Sequence, residues 1–250
     1  MIYQPKISII TVVYNAAPLI ERTIKSVLAQ TYTNIEYIII DGASSDGTLQ
    51  IIEKYQSKIA LTHSGKDNGI YDAMNRGLKD ATGDYVLFIN AGDELYADYT
   101  IAQVFERNPD ADVLYGNTAV VDAHGIILGD RRLRPPDILT WKSLKYGMCV
   151  SHQSFIAKRE LCDAYHLDYK IAADIDWVIN VLKQSKEIVN TQQYISKFLE
   201  GGTSNTRRKK ALLERFSIMV KHYGFFQTVW NHLVILFRYP FHKLTKRSMT

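Results

Sequence analysis

The chain has 250 residues, of which 46% are hydrophobic and 22% charged, a composition typical of one large globular domain or of one domain with an appendage. A formal net charge of +4 does not favour nucleic-acid binding by the chain as a whole. Cys149 and Cys162 lack the spacing of a disulfide framework or a metal site, which indicates thiols in a reducing compartment. Because no secretory leader and no apolar run of spanning length is found, we expect a cytoplasmic protein.

The first hundred residues alternate between strands and helices. Each predicted strand is apolar and rich in β-branched residues, as is typical of a strand buried on both faces of a parallel sheet. The predicted strands are residues 6–14, 35–40, 59–62 and 85–89, and the predicted helices begin at Pro18 and cover 48–55 and 70–79. This alternation predicts a parallel, doubly wound sheet.

The fourth strand ends abruptly in the polar turn 90–94, Asn-Ala-Gly-Asp-Glu. Ligands of open α/β sheets bind at the carboxyl ends of the strands. Asp93 and Glu94 supply oxygen donors suited to a hard divalent cation, which commonly bridges to a phosphate. The alternative interpretation is a plain polar surface turn.

The second strand leads into a loop rich in Gly, Ser and Asp, residues 41–48, that opens a helix. Such a loop offers backbone donors and carboxylates at a helix N-terminus, where a nucleotide is readily bound, although ordinary turns have the same composition. The chain contains neither the GxGxxG nor the GxxxxGK[ST] motif. A nucleotide site here is therefore expected to be built from carboxylates and a metal.

The second half of the chain is less regular. The pattern predicts a strand over 111–115, a hairpin with arms 118–121 and 126–128, a strand with a polar lip over 151–156, and a helix over 212–223. Asp174 is predicted to be the N-cap of a further helix.

Six segments in one order resemble a known family. They are SIITVVYN, IDGASSDGT, DNGIYDAMNRG, ATGDYVLFINAGDE, SHQSFI and AADIDW, and they span roughly residues 6–204. Together they resemble the inverting family-2 glycosyltransferases of the GT-A fold, in particular the subgroup that builds bacterial surface polysaccharides such as colanic acid. The resemblance implies an α/β GT-A fold with a mostly parallel central sheet flanked by helices. It divides the chain into a glycosyltransferase domain, 1–205, and a basic, amphipathic helical extension, 206–250.

The resemblance also implies an activity. The enzyme would move a sugar from a UDP- or GDP-sugar to a saccharide acceptor, expected to be lipid-linked, in exopolysaccharide, capsule or O-antigen synthesis. A divalent cation, Mn²⁺ or Mg²⁺, would assist. Two rival interpretations stay open: a nucleotidyltransferase, which would release pyrophosphate, and a catalytically inactive nucleotide- or sugar-binding module.

Site residues follow from the same resemblance. Nucleotide contacts are assigned to Thr11, Val13, Tyr14, Asn15, Asp41 and Asp46, and contacts near the nucleotide or sugar to Asp67, Arg76, Asn90 and Ala91. His152 and Gln153 would line the acceptor side. The alternatives are a helix-capping role for Asp46, a solvated helix face for Arg76 and a structural role for His152.

Two positions depart from the family pattern. The metal motif Asp-x-Asp is replaced by Asn-Ala-Gly-Asp, so only Asp93 is expected to bind the metal directly. Glu94 is expected to support Asp93 or to have a structural role. The catalytic base is expected to be Asp174, with Asp176 as the fallback, and Ala173 stands where the family has Glu.

The C-terminal segment 207–250 combines basic residues with an aromatic-rich run. This composition is typical of a helix lying on an anionic membrane surface, here the inner face of the plasma membrane. The alternatives are a helix packed on the catalytic domain and a homodimer contact.

Overall fold

The computed structural model describes residues 4–201 and 208–235. The first four strands are parallel and lie side by side in the order β3-β2-β1-β4. The elements of this half are β1 (Ile7–Val13), α1 (Ala17–Leu28), β2 (Ile35–Asp41), α2 (Thr48–Glu53), β3 (Leu61–Ser64), α3 (Ile70–Asp80) and β4 (Tyr85–Phe88). The predicted alternation is thereby confirmed, with β3 beginning two residues later than expected.

The second half continues the same sheet with mixed directions. Its elements are β5 (Glu94–Leu95), α4 (Thr100–Arg107), β6 (Val113–Val121), β7 (Ile127–Asp130), β8 (Phe155–Lys158), α5 (Ala173–Gln184), β9 (Ile188–Leu199) and α6 (Arg208–Tyr223). Strand β8 runs antiparallel to β4 and β6, whereas β9 runs parallel to β6 and antiparallel to β5. Hairpin β6–β7 was predicted. A last helix, α7, is described over residues 225–235.

Helices cover both faces of the sheet. Alternate residues of β1 enter opposite cores because side chains of a strand point alternately to its two faces. Ile10 packs with α3, α5 and α6, whereas Ile9 packs with α1, α2 and α4. The expected α/β GT-A-like architecture is confirmed, and its three layers present the carboxyl ends of β1, β2 and β4 at one edge of the sheet.

Some boundaries differ from the expectation. Helix α5 begins at Ala173 with Ala172 as N-cap, so Asp174 lies in the first turn and is not the cap. Helix α6 begins at Arg208, four residues before the predicted start. The expected domain boundary after residue 205 lies outside the described residues.

Helix α6 packs on the domain through Ile218 and Met219, which are buried in the same core as α5. None of the helices within 4–201 and 208–235 has the length and apolar character needed to cross a bilayer.

Candidate active site

Asp41 ends β2 and is fully buried. Its Oδ2 accepts hydrogen bonds from the Ser44 backbone N at 3.0 Å and from the Ser64 hydroxyl at 2.7 Å. Its Oδ1 is also buried but accepts no hydrogen bond. A buried carboxylate oxygen without a donor is costly, so this atom is an acceptor available to the N–H group of a ligand.

Tyr14 and Asp67 stand beside Asp41. A Cβ atom on Gly42 would lie 2.6 Å from Oδ2 of Asp67 and 3.3 Å from Cδ2 of Tyr14, so both side chains approach the backbone next to Asp41. The Tyr14 ring is 66% exposed. The structure thus brings three of the predicted nucleotide residues to one place, and only glycine fits between them.

Asn15 and Asp46 connect the loop after β1 to the loop after β2. Asn15 has a φ of +45°, a conformation that Asn tolerates, and its Oδ1 accepts a hydrogen bond from Ser45 N at 2.9 Å. Asp46 accepts hydrogen bonds from Ala17 N and Thr48 N at 3.0 and 3.1 Å. The hydrogen bond from Ala17, followed by those from Thr48, lowers the pKa of Asp46. Asp46 thus binds the first residue of α1 and of α2, although the N-cap positions of these helices are Ala16 and Gly47.

In three other residues predicted to contact the nucleotide or sugar, the side chain contacts other parts of the protein. Thr11 is fully buried, with its Oγ1 3.1 Å from the Tyr37 hydroxyl, and Val13 packs in the core. Arg76 donates to the Lys66 carbonyl at 2.9 Å and pairs with Asp72 at 3.1 Å, within its own helix and the preceding loop. Any ligand contact of Thr11 or Val13 would use the backbone.

A row of polar side chains runs from the end of β4 to the start of α5. The amide nitrogen of Asn90 lies 3.2 Å from Nε2 of His152, and Nδ1 of His152 lies 3.5 Å from Oδ2 of Asp174. The Tyr71 hydroxyl donates to Oδ1 of Asp174 at 3.3 Å. Asn90 Oδ1 is buried without a partner. The row leaves an acceptor at one end and a carboxylate at the other.

Asp174 is held as a charged group. Burial raises its pKa, but hydrogen bonding to His152, the charge of His152 and the charge of Arg215 together outweigh burial, and the net pKa is lowered. Tyr71 was missed as a site residue, although it lies in the motif DNGIYDAMNRG. Its hydroxyl also donates to the Ile171 carbonyl at 2.9 Å, which ties α3 to the start of α5.

Asp93 lies beneath this edge and is 5% exposed. Its Oδ2 accepts a hydrogen bond from Gln153 Nε2 at 2.7 Å, and its Oδ1 accepts one from Leu199 N at 3.0 Å. Burial, opposed by these bonds, raises the pKa of Asp93 to about 6. Ala91 is fixed by a backbone hydrogen bond to Val12 at 3.2 Å.

These donors do not fit a cation held by the protein. Both oxygens of Asp93 are occupied by N–H groups, and Glu94 forms an ion pair with Arg22. Over 4–201 and 208–235, no group of three or more His, Cys, Asp or Glu side chains is arranged to hold a metal ion. Asn90 Oδ1 is the one buried side-chain oxygen of this turn that has no hydrogen-bond partner among the described residues.

The two acidic residues of α5 face different surroundings. Asp176 is 1% exposed and contacts α6, with Oδ1 2.6 Å from His222 Nε2 and 3.0 Å from Lys221 Nζ. Its carboxylate fastens α6 to α5, in contrast to Asp174, whose side chain meets His152. Of the two carboxylates, Asp174 therefore faces the polar row at the sheet edge, and Asp176 serves the contact with α6.

Glu214 of α6 is a positioning residue that the sequence did not reveal. Its buried carboxylate accepts hydrogen bonds from the backbone N atoms of Lys170, Ile171 and Ala172 at 3.0, 2.8 and 3.0 Å. These amides immediately precede α5. The C-terminal helix thus fixes the segment from which Asp174 projects.

The chain is similar in sequence to a known family and to curated proteins. The family model described as Glycosyl transferase family 2 matches residues 8–165. A PGL/p-HBAD biosynthesis glycosyltransferase of Mycobacterium bovis is 29% identical over 229 residues, which cover 87% of this chain and 86% of that protein. An uncharacterized glycosyltransferase of Mycobacterium tuberculosis is 30% identical over 236 residues, which cover 88% and 86%.

Solved structures share the fold. S. aureus TarS 1-349 in complex with UDP-GlcNAc has a TM-score of 0.69 at 21% identity, covering 85% of this chain and 65% of that one. The mannosyltransferase PcManGT from Pyrobaculum calidifontis, in complex with GDP-Man and Mn²⁺, has a TM-score of 0.65 at 21% identity, covering 88% and 65%. This chain therefore spans slightly less than two thirds of the length of either solved structure.

Proposed function

Because the chain belongs to glycosyl transferase family 2, we propose that it transfers a sugar from a nucleotide-sugar donor to a hydroxyl of a saccharide acceptor, with inversion at the anomeric carbon. The observation that carries this proposal is that one edge of the sheet presents two carboxylates with different environments. Asp41 offers an unpaired buried oxygen at the end of β2, and Asp174 offers a charged carboxylate opposite the end of β4.

We propose that the nucleotide binds at the carboxyl ends of β1 and β2. Uracil and guanine each present a ring N–H that Oδ1 of Asp41 would accept, and a site built to accept such a hydrogen bond strongly rejects a base without it. Tyr14 and Asp67 flank this position. A UDP- or GDP-sugar is the proposed donor, supported by neighbours that bind UDP-GlcNAc and GDP-Man.

Asp174 is the proposed general base. An acceptor oxygen attacks the anomeric carbon while its proton passes to the Asp174 carboxylate, and the bond from that carbon to the diphosphate breaks. The products are the new glycoside and a nucleoside diphosphate. His152 keeps Asp174 ionised before the reaction, and Tyr71 orients it. No step is assigned to a metal, because the donors at Asn90 and Asp93 do not form a site for one.

The acceptor is proposed to be lipid-linked and to belong to an envelope polysaccharide. Residues 206–250 contain ten Lys and Arg residues and one acidic residue, whereas 1–205 contain 20 Lys and Arg against 25 Asp and Glu. Helix α7 buries Thr228 and Asn231 while Phe226 and Trp230 are 88% and 63% exposed. A basic segment with outward aromatic residues suits an anionic lipid surface, where it would meet such an acceptor.

The test combines binding with turnover. We expect one of UDP, GDP and dTDP to raise the melting temperature, because a ligand bound only by the native state stabilises it. With the matching nucleotide-sugar, the wild type should release nucleoside diphosphate, and Asp174→Asn should bind the nucleotide normally but lose at least about a hundredfold in rate. Binding without any turnover would instead identify an inactive binding module, and pyrophosphate release a nucleotidyltransferase.

A further inference from the structure

A small pocket lies at the β6 side of the sheet, several strands away from Asp41 at the end of β2. Its lining residues are Asn117, Thr118, Asp130, Arg131, Leu133, Arg134, Pro135 and Ser151. Asn117 and Thr118 belong to β6, and Ser151 directly precedes His152. In the sheet order β2-β1-β4-β8-β6, Asp41 lies at one end, His152 meets Asn90 after β4, and the pocket lies at the other end. The pocket is therefore on the acceptor side of the base.

The charges in this pocket do not cancel. Asp130 pairs with Arg134 and accepts a hydrogen bond from the Tyr194 hydroxyl, so that pair is internally neutral. The half-buried Arg131 guanidinium has no hydrogen bond or ion pair with any residue in the described part of the chain. Burial lowers the pKa of Arg131 and the charge of Asp174 only partly opposes it, because no anion contacts the guanidinium directly among the described residues.

The surroundings of Arg131 have a defined chemistry. The amide side chain of Asn117 is also uncommitted among the described residues. The hydroxyls of Thr118 and Ser151 are already used, by Ser154 and Gln153 respectively. Leu133 and Pro135 supply apolar walls. A planar guanidinium beside a free amide and apolar walls matches a sugar that carries a carboxylate or phosphate, because Arg binds both anions in a bidentate manner.

We propose that Arg131 and Asn117 bind an anionic group of the acceptor, a carboxylate or a phosphate, next to the sugar whose hydroxyl Asp174 deprotonates. Ser151 of the pocket directly precedes His152, which meets Asp174, and the charge of Asp174 acts on Arg131, so the pocket adjoins the proposed base. The inference rests on the proposed function, since it assigns a substrate class to the acceptor half of that site. It makes charge on the acceptor a specificity determinant.

The test measures acceptor-like probes with the nucleotide position already filled by the nucleoside diphosphate that stabilises the protein. The probes are methyl β-D-glucuronide, a short alkyl phosphate and the neutral methyl β-D-glucoside, titrated by calorimetry or NMR. Wild-type protein should bind one charged probe at least about tenfold more tightly than the glucoside. Whichever charged probe binds more tightly identifies the group as carboxylate or phosphate.

Variants in the same loop make the result specific. Arg131→Gln should remove the preference for charge, and Arg131→Lys should keep part of it, because Lys retains the charge without the planar fork. The exposed neighbour Arg132 is the matched control, and Arg132→Gln should behave like the wild type. Equal affinity for charged and neutral probes in the wild type would overturn the proposal, as would an equal loss in both Gln variants.

Nucleotide binding is recorded for every variant as a separate readout. Normal nucleotide stabilisation together with no charge preference would reject the Arg131 pocket and leave the transferase proposal standing. Absence of nucleotide stabilisation in the wild type would reject the proposed function itself.

Discussion

His152 lies against Asp174, with Nδ1 3.5 Å from Oδ2. Burial alone would raise the pKa of Asp174, and His152 is the main group that opposes burial. Because an aspartate must be ionised to accept a proton, this contact would keep Asp174 competent as the proposed base at low pH. His152 is itself 3.2 Å from Asn90, so the same side chain connects the base to the turn after β4.

Replacing His152 by Gln should therefore move the acid limb of the pH–rate profile to higher pH. The substitution removes the opposing contact, burial then raises the pKa of Asp174, and the carboxylate is lost earlier as pH falls. The measurement is kcat/KM between about pH 4 and pH 8. His166, 55% exposed and near Asp176, is the control, and His166→Gln should leave the limb in place. An acid limb that stays or moves to lower pH in His152→Gln would contradict the assignment.

Glu214→Ala should lower both stability and kcat. Three backbone N–H groups before α5 would lose a charged acceptor, which costs about 3 kcal/mol in unfolding free energy. Glu214→Gln, which keeps the shape and one acceptor oxygen, should recover part of both losses. Nucleotide affinity should be unchanged because Asp41 is on a different element.

Denaturant unfolding and steady-state kinetics measure these effects. Leu213→Ala, at a position 73% exposed on the same helix, is the matched control and should alter neither. A full-rate Glu214→Ala enzyme would show that α6 does not position Asp174.

Asp41→Asn should weaken nucleoside diphosphate binding by about tenfold to a hundredfold, because the unpaired Oδ1 acceptor would be lost or replaced by a donor. Calorimetric titration measures the change. The exposed Asp80 provides a control of the same chemistry, and Asp80→Asn should bind normally. Equal affinity of Asp41→Asn and the wild type would remove Asp41 from the nucleotide site.

Chelation should not abolish nucleotide binding. Both oxygens of Asp93 are held by Gln153 and Leu199, so the protein contributes little to holding a cation. We expect the preferred nucleoside diphosphate still to raise the melting temperature in the presence of EDTA. Its Kd with EDTA should differ from its Kd without EDTA by less than about twofold, which corresponds to about 0.4 kcal/mol. Loss of the shift with EDTA and its return with Mn²⁺ or Mg²⁺ would mean that Asp93 exchanges its hydrogen bonds for a metal.

The outward aromatic residues of α7 should govern membrane binding. The double variant Phe226→Ser and Trp230→Ser should reduce sedimentation with phosphatidylglycerol-containing vesicles by at least about tenfold, because apolar insertion and charge both contribute. Ile138→Ser, at a site 81% exposed in another region, should not. If the wild type does not bind anionic vesicles but forms a dimer that the double variant disrupts, the C-terminal segment is a homodimer contact.

The local hydrophobic pattern of the sequence was sufficient to predict the strands and helices of the parallel half of the sheet. Strands β1, β2 and β4 are continuous apolar runs, and α1 and α3 have one apolar face each, so periodicity identifies them. It was insufficient for β9, because the polar run Asn-Thr-Gln-Gln interrupts the alternation and Gln192 adopts a φ of +59°. Helix α4 was missed because its N-cap, Tyr99, makes no side-chain cap hydrogen bond and its first turn has no acidic residue, so the usual signals of a helix start are absent.

By itself, the sequence determined the alternation of the first four strands and the family resemblance, and it proposed Asp41 and Asp174 as site carboxylates, because these depend on residue type and order. The tertiary structure decided what each carboxylate can do. Asp174 lies in the first turn of α5, one residue after its first residue Ala173, and Glu214, 40 residues later, accepts the amides before the helix. Asp93 is occupied by Gln153 and Leu199, and among the described residues no carboxylate forms a direct ion pair with Arg131. Burial and hydrogen-bond partners come from distant segments, so no local pattern could supply them.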